Sequence, residues 1–144
     1  MGATDLPTST RRRGLIGVAA AAVLATAVPG RGAAAADWSQ SWPVTVTTED
    51  YAFDPSSLTF KAGGIYRLHV ENRGKELHEF AAPDFFRAIR MRNPQALNAD
   101  RTEIAVPPGQ SKDLYFIART PGSFPLICPD HDWAGMVGRI TIEP

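Results

Sequence analysis

The sequence predicts an all-β fold over residues 37–144, a β-sandwich of seven to eight strands with one short helix. Three observations lead to this class. Apolar and polar residues alternate in short stretches, turn-forming residues separate those stretches, and no stretch with helical spacing is long enough to organise a core. Many short strands with frequent turns are typical of a sandwich of two sheets.

The clearest strand covers residues 65–71, where alternate side chains point to opposite faces. Tyr66, Leu68 and Val70 share one face. The other face carries Arg67, His69 and Glu71. We therefore expect one face of this strand to be exposed to solvent and the other to be buried. The same alternation predicts strands at residues 44–48, 58–61, 77–81, 102–106, 112–118, 123–128 and 137–142.

One segment, residues 83–92, interrupts the strands with a helical pattern. Pro83 suits the start of a helix because its missing N–H is not needed in the first turn. Asn93 and Pro94 suit the end of that helix. We expect one or two helical turns at the edge of the sandwich.

Residues 1–36 have the pattern of an export signal. The arginines at positions 11–13 precede an apolar stretch over residues 14–28, and small residues at 33–36 follow. The stretch is shorter than the ~20 apolar residues that span a membrane, so we expect cleavage, with an uncleaved anchor as the alternative. Arg12 and Arg13 before Gly14 resemble a twin-arginine signal. The mature protein, residues 37–144, is then expected in a bacterial periplasm.

The charge balance and the cysteine count exclude several classes of protein. Fifteen basic residues balance 15 acidic ones, which argues against a nucleic-acid binder. A single cysteine, Cys128, forms no intramolecular disulfide and no paired thiolate zinc site. A lone thiol in an oxidising compartment needs burial or a metal to protect it.

A cluster of metal-binding residue types lies near the carboxyl terminus, where Cys128, His131 and Met136 share one loop between two predicted strands. A mononuclear copper site that cycles between two oxidation states uses a thiolate, two imidazoles and often a weak thioether. The second imidazole must come from elsewhere in the chain. The alternation directs His69 outward, which leaves His78, fifty residues before the cysteine.

Residues 51–64, 72–78, 121–131 and 135–138 resemble the cupredoxins, the type 1 blue-copper proteins. The spacing of the ligand loop is similar to that of plastocyanin and pseudoazurin and differs from the longer spacing of azurin. The resemblance implies a Greek-key β-sandwich that binds one copper ion. It implies His78, Cys128 and His131 as strong ligands and Met136 as the axial ligand.

One position departs from the family pattern. Many cupredoxins have asparagine after the first histidine ligand, where its side chain ties the two ligand-bearing loops together, and this chain has Glu79. The backbone N–H of Glu79 can still approach the thiolate, because that donor does not depend on the side chain. A carboxylate here is expected either to stabilise the more positive oxidation state of the metal or to act as a pH-sensitive group beside the site.

The resemblance implies a carrier of single electrons and no enzymatic activity. The electron is expected to leave through the edge of His131, surrounded by an apolar docking patch of Pro129, Trp133, Ala134 and Gly135. Because Asp130 and Asp132 add negative charge, we expect a transient partner with a basic face, a c-type cytochrome or a periplasmic dehydrogenase or reductase. The mature protein is expected to be a monomer that binds neither nucleic acid nor membrane.

Two other functions fit the same residues. The protein is then either a periplasmic copper-binding protein for storage, delivery or tolerance, or a secreted structural sandwich whose Cys128 is buried and metal-free. An oxygen ligand from Glu79, giving a red-type copper site, is the alternative for the coordination.

Overall fold

The computed structural model of the protein describes residues 1–2 and 35–144, and the latter form a two-sheet sandwich. Its strands are β1 (Trp42–Glu49), β2 (Ala52–Asp54), β3 (Ser57–Lys61), β4 (Ile65–Asn72), β5 (His78–Ala81), β6 (Ile89–Met91), β7 (Glu103–Val106), β8 (Ser111–Ala118), β9 (Gly122–Ile127) and β10 (Val137–Glu143). One α-helix, α1, covers Pro83–Arg87, and short 3-10 turns cover Trp38–Gln40, Pro94–Ala96 and Asp132–Ala134. The predicted all-β sandwich is confirmed.

Each sheet has five strands. The first has the order β2-β1-β4-β8-β6 and the second the order β3-β10-β9-β5-β7. Most neighbours are antiparallel, but β1 pairs with β4 and β3 pairs with β10 in parallel. Non-sequential strands therefore lie side by side, and β5 comes next to β9 through the pair Ala81 and Ile127. Because this pairing is antiparallel, the start of β5 and the end of β9 lie at the same edge of the sandwich.

The core between the sheets follows from the alternation in the sequence. Leu68 and Val70 of β4 are buried, whereas His69 points to the outer face and contacts Asp113 of β8 at 2.8 Å. Aromatic rings fill the centre, where Phe116 packs edge-on against Phe60 with 5.1 Å between ring centroids. Such pairs add to the burial of apolar surface, so the core fixes the two sheets relative to each other.

Two short strands were not predicted from the sequence. Both β2 and β6 have three residues and lie at the edges of the first sheet, so their apolar alternation is too short to recognise. Strand β6 lies within residues 83–92, and the helix predicted there is therefore limited to one turn, Pro83–Arg87. The predicted export signal lies almost wholly outside the described residues. No helix within the described part of the chain is long and apolar enough to cross a membrane.

Candidate metal centre

The loop between β9 and β10 carries three of the predicted ligands and closes on itself through its backbone. The N–H of Cys128 donates to the carbonyl of Met136 at 3.1 Å, and the N–H of His131 donates to the carbonyl of Cys128 at 3.0 Å. Gly135, with φ of 88°, takes the left-handed conformation that ends the turn Asp132–Ala134. The loop thereby holds Cys128, His131 and Met136 in a fixed relation.

The fourth predicted residue, His78, begins β5 and lies at the same edge of the sandwich. The ligand atoms of His78, Cys128 and His131 all lie within 4.8 Å of one another. All three residues are buried, and the two imidazole centroids are 4.9 Å apart. Met136 is also fully buried within the core cluster that contains Cys128. Folding therefore brings a distant imidazole to the loop, as the sequence predicts.

The donor atoms of this cluster fit a redox metal. Among the described residues, the Nδ1 atom of His78 is the one buried side-chain nitrogen or oxygen without a hydrogen-bond partner. A buried polar atom without a partner is costly unless it binds something. The Nδ1 atom of His131 lies 3.3 Å from the Cys128 sulfur. A thiolate and two imidazoles with a thioether nearby form the donor set of a mononuclear copper site.

Glu79 contacts the cysteine in two ways. Its backbone N–H lies 3.5 Å from the Cys128 sulfur, the approach expected from the sequence. Its carboxylate Oε2 accepts a hydrogen bond from the thiol at 3.1 Å, a contact that sequence reasoning did not predict. Glu79 is 7% exposed. The carboxylate thus connects the β5 strand to the ligand loop in the place of an asparagine side chain.

Burial raises the pKa of the Cys128 thiol from 9.0 to about 11, and the Glu79 carboxylate adds to the rise, although the Glu79 backbone N–H opposes it. The thiol is therefore protonated at neutral pH in the metal-free protein. Metal binding must release this proton, because the thiolate is the ligand.

The raised thiol pKa gives a testable pH dependence. Because the folded state keeps the proton and the unfolded state loses it, the free energy of unfolding of metal-free protein should fall as the pH rises from 9.0 to about 11. The expected loss is roughly 1.4 kcal/mol per pH unit in that window. Urea unfolding at several pH values measures it. Cys128→Ala should lack this part of the slope, and equal slopes in both proteins would contradict the assignment.

Two further carboxylates bind the outer nitrogens of the histidines. Asp50 Oδ1 lies 2.9 Å from His78 Nε2, and Glu76 Oε2 lies 2.8 Å from His131 Nε2. The hydrogen bond from His78 lowers the pKa of Asp50. This carboxylate is therefore ionised and accepts a hydrogen bond from the imidazole N–H. Sequence reasoning missed both acids. The available signal was their position, one directly after β1 and one two residues before His78.

The four residues of the docking patch expected from the sequence, Pro129, Trp133, Ala134 and Gly135, are exposed. Trp133 is 77% exposed, and its indole N–H donates to the Asp130 carbonyl at 2.8 Å. The Tyr51 ring packs against His131, with 4.6 Å between ring centroids. His131 is 7% exposed. An aromatic ring and the Glu76 carboxylate therefore cover the edge of the imidazole.

Comparison with known proteins agrees with this fold. The family model described as "Cupredoxin-like domain" matches residues 16–142. The copper-resistant cuproprotein CopI of Rubrivivax gelatinosus is 32% identical over 68% of this chain and 64% of its own length. The protein of the same name from Pseudomonas aeruginosa is 28% identical over 80% of this chain and 82% of its own length. A solved structure of auracyanin B is 26% identical with a TM-score of 0.52, over 72% of this chain and 89% of auracyanin B.

The fold and the His-Cys-His cluster define a protein of the cupredoxin type. The chain belongs to the cupredoxin-like family, which confirms the resemblance inferred from the ligand loop. Family membership implies copper as the metal, and the described residues fit it. The chain spans 64% of the length of the Rubrivivax gelatinosus relative.

Proposed function

We propose that this protein is an exported mononuclear copper protein that carries single electrons between redox partners in the bacterial periplasm. The observation that supports it most strongly is the buried cluster of His78, Cys128 and His131, whose ligand atoms lie within 4.8 Å of one another. Copper bound here supplies a one-electron couple between Cu(I) and Cu(II). The role of Met136 as axial ligand rests on its position in the ligand loop and on the family resemblance.

The surroundings of the cluster favour electron transfer over catalysis. The Cys128 and Met136 side chains are fully buried, and His131 is 7% exposed. His78, Cys128, His131 and Met136 would together supply four ligands and leave no open position for a substrate, which argues against an enzyme. The closed backbone of the ligand loop and the adjoining core hold the donors in place, so a change of oxidation state needs little rearrangement of the protein.

The charge near the site favours a partner with a basic face. Asp50 and Glu76 contact the outer nitrogens of the ligands, and Asp130 and Asp132 are exposed in the ligand loop. Acidic groups of this kind steer a positively charged partner into a brief encounter. A c-type cytochrome or a periplasmic dehydrogenase or reductase has the required redox chemistry. We propose that the mature protein acts as a monomer, free of membrane and nucleic acid.

A second candidate function is copper handling in storage, delivery or tolerance. Two observations favour it. Two relatives are named copper-resistant cuproproteins. The outer nitrogen of His131 is bonded to Glu76, where a fast electron shuttle would benefit from a bare imidazole edge. The two functions differ in the rate of electron exchange and not in the metal that is bound.

Stopped-flow oxidation of the copper(I) protein by a basic c-type cytochrome distinguishes the two functions. An electron carrier should reduce the cytochrome rapidly and reversibly, with a rate that falls about tenfold or more as salt rises and screens the charges. Stable copper binding without fast exchange at any salt concentration would instead support copper handling. A rate indifferent to ionic strength would contradict the proposed electrostatic steering.

Paired variants localise the steering. Removing both loop charges with Asp130→Asn and Asp132→Asn should lower the rate at low salt. The control Glu143→Gln removes a charge at the far end of β10, whose seven residues extend away from the ligand loop. An equal effect of both changes would indicate a general charge effect and exclude docking at the loop. The visible spectrum should be unchanged in all of these variants.

A further inference from the structure

Both histidines of the cluster use their outer nitrogen in the same way. His78 and His131 each place Nε2 within 2.9 Å of a carboxylate oxygen, from Asp50 and Glu76 respectively. A carboxylate without a proton can only accept, so the Nε2–H of each imidazole is the donor in these two contacts. In a neutral imidazole with its proton on Nε2, the Nδ1 atom carries no proton and offers its lone pair to a metal. The Nδ1 atom of His78 has no partner, and that of His131 faces the Cys128 sulfur.

Asp50 is itself fixed by the loop between β4 and β5. The backbone N–H of Lys75 donates to its two carboxylate oxygens at 3.1 and 3.2 Å. Gly74 allows the approach, because a Cβ there would lie 2.8 Å from His78 Nε2 and closer still to the Asp50 carboxylate. The absence of a side chain at position 74 is therefore a requirement of the Asp50 and His78 pair.

Glu76 lies in the same loop between β4 and β5, and its position is fixed by hydrogen bonds. Its backbone carbonyl accepts a hydrogen bond from the buried Asn72 side chain at 2.7 Å, which fixes the position of the residue. The Tyr51 hydroxyl donates to its second carboxylate oxygen at 3.4 Å. The Glu76 side chain is half-exposed, whereas that of His131 is nearly enclosed. The carboxylate therefore lies between the ligand and the solvent.

We propose that Asp50 and Glu76 are positioning residues of the metal centre, which direct both Nδ1 atoms toward the metal and favour Cu(II) over Cu(I). The selectivity rests on the proposed copper function, whereas the positioning does not. A carboxylate on the far side of an imidazole fixes the ring and makes the ligand more basic. Negative charge close to the centre stabilises the more positive ion, so the preference falls on Cu(II).

The positioning is tested on metal-free protein with 15N-labelled histidine. Both His78 and His131 should show the Nε2–H form in the wild type. Asp50→Ala should lose this form at His78 alone, and Glu76→Ala should lose it at His131 alone. Asp50→Asn and Glu76→Gln keep an acceptor oxygen and should retain it. Unchanged protonation in both alanine variants would overturn the positioning role.

The preference for Cu(II) is tested by separate titrations with Cu(II) and Cu(I) and by the reduction potential. Each alanine variant should bind Cu(II) about 10- to 100-fold more weakly, the usual effect of removing such a partner, and Cu(I) should weaken less. Each tenfold by which Cu(II) binding weakens more than Cu(I) binding raises the reduction potential by about 59 mV. The asparagine and glutamine variants, which lose charge but keep the hydrogen bond, should also raise the potential.

The control is Glu49→Gln, which removes the exposed carboxylate next to Asp50 in the chain. It should change neither histidine nor the potential. Equal losses of Cu(I) and Cu(II) affinity in the alanine variants would overturn the selectivity. A shift of the reduction potential in Glu49→Gln as large as that in Asp50→Asn would overturn it as well. If wild-type protein binds no copper, the proposed function fails together with the selectivity, while the NMR experiment still decides the positioning.

Discussion

Replacement of Cys128 by serine is expected to abolish the intense visible absorption of the copper-loaded protein. The band arises from charge transfer between a thiolate and Cu(II), and Cys128 is the one cysteine of the chain. Serine has nearly the same size, so the fully buried position stays filled and the fold should persist. Visible absorption together with circular dichroism in the far ultraviolet separates loss of the site from loss of the fold.

Met136→Leu is the matched comparison for this variant. The two side chains have similar volume, and such a substitution in a core usually costs less than about 1.5 kcal/mol. If Met136 is a weak axial ligand, the coloured site should remain and its reduction potential should shift. Equal loss of colour in Cys128→Ser and Met136→Leu would contradict the division into strong and axial ligands. An unchanged reduction potential in Met136→Leu would show that Met136 is not a ligand of the metal.

Asn72→Ala is expected to lower both the stability and the copper affinity. The buried Asn72 side chain donates to the carbonyls of Glu76 and Val106, each at 2.7 Å, and accepts from the N–H of Gly74 at 2.8 Å. Removal leaves these backbone groups without a partner, and one such buried group costs about 1–3 kcal/mol. We expect a total loss of about 3 kcal/mol in the free energy of unfolding, measured by urea denaturation.

The copper affinity of Asn72→Ala should fall because the same loop positions Glu76 and the backbone N–H that holds Asp50. The control is Asn93→Ala. Asn93 also bridges backbone groups, the Asp113 carbonyl and the Tyr115 N–H, each at 2.8 Å, but it is bound to β8 instead of the ligand loops. It should lose stability and keep the copper affinity of the wild type. Parallel losses of affinity in both variants would contradict a specific role of the loop.

The sequence was sufficient to predict the fold class because the alternation in the long strands is regular. In β4 it separates buried Leu68 and Val70 from the outer face, and it excludes His69, which lies against Asp113. The strands β2 and β6 escaped prediction because three residues are too few to show a period. They form through pairing with longer neighbours, and that pairing depends on the tertiary structure.

The chemistry of the cluster was more accessible to sequence reasoning than its surroundings. Local spacing connects Cys128 with His131, and elimination among three histidines leaves His78. The partners of the histidines are different, because Asp50 lies 28 residues from His78 and Glu76 lies 55 residues from His131. No local pattern relates residues that come together only when the strands pair.

X-ray absorption at the copper edge of the copper-loaded mature protein tests the central claim most directly. One copper ion per chain with one sulfur and two imidazole nitrogens as its nearest neighbours is the expected result, in agreement with the cluster of Cys128, His78 and His131. A copper ion surrounded by oxygen and nitrogen alone, with no sulfur at bonding distance, would contradict it.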